Sequence, residues 1–121
     1  LVYFWLNVKA KEERFTEFYL SGAVLTEEMF RGNTIKLKTV IVNHEGRRVT
    51  YRLQLWEIQN RIATEAQVIE LGPDEKWEGE IPLFLRESVN LAVHYRLYVD
   101  DTPQPRQTLR LYLEIRSQRE F

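Results

Sequence analysis

The chain has 121 residues, of which 44% are hydrophobic and 29% charged, and its formal net charge is −1. That length fits one domain, the composition excludes a wholly disordered chain, and the charge excludes global attraction to nucleic acid or an anionic bilayer. With no cysteine, disulfides, thiolate metal sites and a cysteine nucleophile are excluded as well.

The opening run Leu1-Val2-Tyr3-Phe4-Trp5-Leu6 is strongly apolar and gives way to Asn7, Lys9 and Lys11. No stretch approaches the ~20 apolar residues of a membrane-spanning helix. Residues 1–10 therefore read as an arm covering a sheet, as a first strand, or as the end of a membrane helix with lysines just beyond the interface. Residues 11–121 read as one β-domain.

Period-2 alternation dominates that domain. Arg14 to Leu20 is an aromatic-rich strand that the pattern ends at Ser21-Gly22, and Ser21 to Asn33 reads as a loop. Within it Thr26 to Phe30 offers the alternative of a single helical turn capped by Thr26. From Thr34 to Asn43, Ile35, Leu37, Thr39 and Ile41 share one face and Lys36 and Lys38 the other. His44-Glu45-Gly46-Arg47 is a hairpin turn in which Gly46 supplies a positive φ.

In the next strand Val49, Tyr51, Leu53 and Leu55 point inward, against Thr50, Arg52 and Gln54. Ile62 to Leu71 holds either two short strands or one strand with an irregularity. Gly72-Pro73-Asp74-Glu75 is a turn. Pro82 places the strand from Trp77 to Leu83 at a sheet edge or ends it there. Leu91 to Val99 alternates with its odd positions inward, Asp100 to Gln107 is a loop, and Leu109, Leu111, Leu113 and Ile115 alternate with Arg110, Tyr112, Glu114 and Arg116. About seven antiparallel strands joined by short turns predict an all-β, immunoglobulin-like or fibronectin-like two-sheet sandwich.

Catalytic patterns are missing. His44 and His94 lack the spacing of a metal site, and neither a nucleophile elbow nor a phosphate-cradling loop is present. Glu12, Glu13, Glu27, Glu28, Asp74, Glu75, Asp100 and Asp101 fall in loops or at strand ends. Asp100-Asp101 is a weak candidate for calcium without nameable co-ligands. No enzyme activity and no cofactor are expected.

Arginine outnumbers lysine, and the alternation gathers it. Arg52, Arg96, Arg110 and Arg116 share the outer face of one sheet with Gln54, His94, Tyr98 and Tyr112. Arginine and tyrosine are enriched at interface centres, and guanidinium suits planar anions and aromatic stacking. The competing reading is an ordinary solvated face with cross-strand pairs such as Glu114 offers. A second class of function, carbohydrate binding, rests on Trp56, Trp77, Tyr98 and Tyr112 as a ring platform. It competes with half-buried sandwich indoles.

Four segments occur in a recognisable order: Glu13 to Leu20, Ile41 to Gly46, Glu75 to Glu80, and Leu97-Tyr98 followed by Leu109 to Leu113. From about Lys11 to Arg116 this set resembles the extramembrane region of the family catalogued as domain of unknown function 1616. The resemblance implies transmembrane helices before a β-rich part, Leu1–Leu6 at the end of such a helix, and an extracytoplasmic position. It carries no established activity. A departure is the stretch Ser21 to Asn33, which lacks a Gly-Pro-rich turn. The expected function is a non-catalytic extracytoplasmic structural or interaction module of a membrane-anchored protein. Its partner would be a protein or a cell-envelope polymer rather than nucleic acid.

Overall fold

Alternating side chains build seven antiparallel strands among the residues that the computed structural model describes, which are 14–28, 32–85 and 90–114. They are β1 (Phe15–Glu28), β2 (Gly32–His44), β3 (Val49–Glu57), β4 (Ile62–Leu71), β5 (Lys76–Leu85), β6 (Asn90–Val99) and β7 (Gln107–Glu114). One sheet has the order β1-β2-β5 and the other β4-β3-β6-β7. The fourth strand pairs with the third rather than the fifth, which separates this sandwich from the constant-type immunoglobulin arrangement and leaves the fibronectin-like alternative.

The core lies between the sheets. Ile35, Leu37 and Ile41 of β2 and Ile81 and Leu83 of β5 face Tyr51, Leu53 and Leu55 of β3 and Leu91, Val93, Tyr95 and Leu97 of β6, all buried. The expected inward sets of β2, β3 and β6 are therefore the observed ones. Trp77 packs against this core from β5 with its ring lying over Gly79, where an added Cβ would sit 2.3 Å from the ring. A side chain at position 79 would displace the indole. Pro82 lies on β5, an edge strand, where its missing N–H costs no ladder bond.

Two expectations are corrected. Residues Ser21 to Glu28 are not loop, and Thr26 does not cap a helical turn: β1 continues to Glu28 across a bulge between Leu20 and Gly22. The extra residue shifts the inward set from Phe18 and Leu20 to odd positions, so simple alternation stops where the strand does not. β2 likewise begins at Gly32 rather than Thr34. Residues 29–31 lie outside the described residues. The other irregular segment, Ile62 to Leu71, is one strand, with a register shift that leaves Ala66 extra between Gln67, opposite Leu53, and Glu65, opposite Gln54.

Two hydroxyl bridges cross the sandwich. Thr39 Oγ1 donates to the Leu37 carbonyl at 3.0 Å, so Tyr95 donates its hydroxyl to Thr39 at 2.7 Å. In the same way Tyr51 donates to Thr16 at 2.8 Å, and Thr16 donates to Glu45 at 2.7 Å. Burial raises the pKa of both tyrosines, opposed in each case by the threonine hydrogen bond.

The β2–β3 turn, the β4–β5 turn and the loop from Asp100 to Arg106 share one pole. Gly46 there has φ 82° and Asp74, following Pro73, has φ 63°. Fully buried Asn43 joins two of these segments. Its Nδ2 lies 2.7 Å from the Arg47 carbonyl and 2.9 Å from those of Leu71 and Gly72, while its Oδ1 accepts from Glu45 N at 2.8 Å. Arg47 reaches Asp100 at 3.0 Å and Arg106 reaches Glu45 at 2.5 Å, tying in the third.

Candidate binding face

The outer face of the four-stranded sheet is laid out by register. In the first row Val68 of β4, Arg52 of β3 and Tyr98 of β6 lie side by side; in the second, Glu65, Gln54, Arg96 and Thr108 of β7. The third holds Ala63, Trp56, His94 and Arg110, and a fourth pairs Ala92 with Tyr112. The even-numbered side chains described on β3, β6 and β7 point this way, because their odd neighbours fill the core or pack against it.

Within these rows the side chains hold one another. The Arg52 guanidinium lies 4.8 Å above the Tyr98 ring and donates to the carbonyls of Asp100 (3.3 Å) and Thr102 (3.1 Å). Arg96 lies 5.6 Å above the Trp56 ring and donates to Gln54 Oε1 at 3.3 Å, which also accepts from the Tyr98 hydroxyl at 3.3 Å. Gln54 Nε2 donates to Glu65 at 3.0 Å.

The charges here are handled differently from those at the turn pole. Arg47, Arg48 and Arg106 pair with Asp100, Glu70 and Glu45. Arg52 and Arg96 instead use neutral acceptors and ring faces, and among the described residues neither they nor Arg110 makes a salt bridge. Glu65 is the one carboxylate described in these rows, and the nearby Glu70 and Asp100 are taken by Arg48 and Arg47.

The structure thus brings Arg52, Gln54, His94, Arg96, Tyr98, Arg110 and Tyr112 onto one face, while Arg116 lies outside the described residues. Tyr98 is a correction to the idea of an open surface: it is only 8% exposed, roofed by Arg52. Tyr112, at 68%, is open. Trp56 belongs to the face and was separable in the sequence, since it shares the parity of Arg52 and Gln54. Of the four aromatics considered for a ring platform, Trp77 packs on the core and Tyr98 is buried, so the set is not coplanar or open.

Elsewhere, His44 ends β2 between two carboxylates, with Nε2 2.7 Å from Glu17 and Nδ1 3.3 Å from Asp74, and Phe15 tilts against its ring. The Glu17 hydrogen bond, opposed by partial desolvation and helped by Asp74, raises its pKa above 6.5. The carboxylate of Asp100 accepts from Thr50 N at 3.1 Å and from Arg47, contacts that hold its pKa below the ordinary value against some desolvation. The pair Asp100-Asp101 is thus partly spoken for, and no group of three or more potential metal ligands occurs among the described residues.

Seven strands in a three-plus-four sandwich, one sheet of which displays a basic and aromatic outer face, define the class of this protein. The chain belongs to the family described as Domain of unknown function (DUF1616), whose pattern matches residues 9–115. No curated protein and no solved structure matches it.

Proposed function

We propose that this domain is a non-catalytic interaction module on the extracytoplasmic side of a membrane-anchored protein, and that it makes contact through the outer face of β3, β6 and β7. The observation that carries this reading is the arrangement of Arg52 and Arg96. Both guanidiniums are oriented by rings and neutral acceptors, and no carboxylate among the described residues pairs with them. Holding a guanidinium in place lowers the entropy lost when it engages a partner. The apolar run Leu1–Leu6 followed by Lys9 and Lys11 supports attachment to a membrane.

The test is a pull-down of envelope components with the wild-type domain and with Arg96→Glu/Arg110→Glu. Components retained by the wild type are expected to be lost from the double variant. Equal recovery would remove this face from the interaction.

A further inference from the structure

Resting on that reading, we infer that the partner is an anionic polysaccharide whose carboxylates are met by Arg52, Arg96 and Arg110 on a diagonal across β3, β6 and β7. The register fixes the diagonal. Arg52 stands in the row of Tyr98, Arg96 one strand over in the row of Gln54, and Arg110 a further strand over in the row of His94. Each step is one strand across and two residues along, a separation of ~7–8 Å. Three cationic groups in a line suit an extended chain carrying repeated negative charge better than they suit a single small anion.

Charge complementarity is local and selective. The rows holding this diagonal contain three guanidiniums and His94 against Glu65 among the described side chains. The outer face of the other sheet is balanced: Lys36, Lys38 and Lys76 lie among Glu17, Glu78 and Glu80, and Lys76 pairs with Glu78 at 3.0 Å. Although the chain's net charge is −1, Arg52, Arg96 and Arg110 thus stand together on this face without a salt bridge among the described residues. Guanidinium's planar fork matches a carboxylate in two parallel hydrogen bonds.

Two other kinds of partner fit less well. A folded protein needs a contiguous apolar centre to its interface, but here the large, widely exposed apolar side chains Val68 and Tyr112 stand on opposite flanks, on β4 and β7, and Trp56 between them lies under Arg96. Single-stranded nucleic acid needs free ring faces on which bases stack. Arg52 and Arg96 already cover faces of Tyr98 and Trp56, which leaves Tyr112 as the open ring of the three. A hydrated sugar polymer needs neither feature, only charge and hydrogen-bond donors along its length.

The experiment measures retention of the whole chain on immobilised polygalacturonate at low ionic strength, beside its neutral methyl ester, poly-glutamate and an oligothymidine strand. Polygalacturonate is expected to retain the protein and the ester to release it, with retention falling as salt rises. Arg96→Gln and Arg110→Gln should each weaken binding about tenfold, the loss typical of one charge-assisted hydrogen bond. Arg48→Gln, which removes a carboxylate-paired arginine off the diagonal, should leave it unchanged. Arg110 is exposed, so its variant tests the site even if Arg96→Gln proves unstable. Absent retention, equal binding to the ester, indifference to Arg110→Gln, or equal or tighter binding to poly-glutamate or oligothymidine would each overturn the assignment. If the polymer fails while Arg96→Glu/Arg110→Glu still loses envelope components, the polysaccharide falls and the contact face stands. If both fail, the face falls with it.

Discussion

Asn43 makes four side-chain hydrogen-bond contacts from a position that water does not reach. Replacing it by alanine would remove the side-chain partner of the Arg47 and Leu71 carbonyls and of the Glu45 amide, while the Gly72 carbonyl keeps its bond from Glu75 N, and a buried unpaired group costs about 1–3 kcal/mol. Asn43→Ala should therefore lower the unfolding free energy by about 2–4 kcal/mol, read from denaturant midpoints at unchanged m-value. In the sequence, Asn43 is one more polar residue before a turn, because its partners come from Leu71 and Gly72, far along the chain. His44, next to it, gives a pH dependence. Its folded-state pKa lies above 6.5 because Glu17 and Asp74 favour the imidazolium, so its contribution is complete below pH 6.5 and fades as pH climbs through the raised value. Stability measured from pH 6 to 8.5 should decline in the wild type, and the part due to this residue should vanish in His44→Gln.

At the scale of the strand, what could be read depended on whether two-residue alternation survived. β2, β3 and β6 keep it without interruption, and their inward-facing sets follow from the sequence alone, whereas the burial of Val40 and Tyr98 on the outer faces does not. β1 and β4 each carry an extra residue, which breaks the pattern without breaking the pairing. That is why the pattern stops at Ser21, and why Ile62 to Leu71 admits either two short strands or one strand with an irregularity. Deleting Ser21 leaves Leu20 opposite Thr39 and Gly22 opposite Lys38, the existing pairing, with regular alternation throughout. This variant should fold with stability within ~1 kcal/mol of the parent. Deleting Tyr19 instead would turn Leu20, which packs on the core, toward the solvent side, and should cost clearly more in the same thermal or denaturant scan. The candidate face was legible for the same reason as the core. Once β3, β6 and β7 alternate, their even positions must share a surface. The stacking of Arg52 over Tyr98 was not, since it depends on which strands are neighbours.

Across the whole molecule, the sheets are joined by oil and by two hydroxyl bridges, Tyr95–Thr39 and Tyr51–Thr16. Both phenols ionise above the ordinary value of 10.0, chiefly because burial disfavours the phenolate. An unfolded chain releases those protons first, so folding stability should fall once pH passes about 10 and keep falling toward the raised values. Spectrophotometric titration should show two of the six tyrosines ionising only together with loss of strand signal. Tyr95→Phe should shift that alkaline unfolding to higher pH; an unshifted midpoint would mean that Tyr95 is not the group responsible.

The uneven wiring of the two poles has a practical corollary. Asn43, Arg47 and Arg106 lace three connections together at one end. At the other, the turn from Ile58 to Arg61 is held by Ile58 N donating to Ala92 O, Ala92 N donating to Gln59, Arg61 N donating to Ile58 O and Asn60 donating to Glu57, with no ion pair among the described residues of the turn. A fluorophore or affinity tag spliced beside Asn60 would load the molecule where it has slack, whereas the same graft beside Gly46 would pry open its knot.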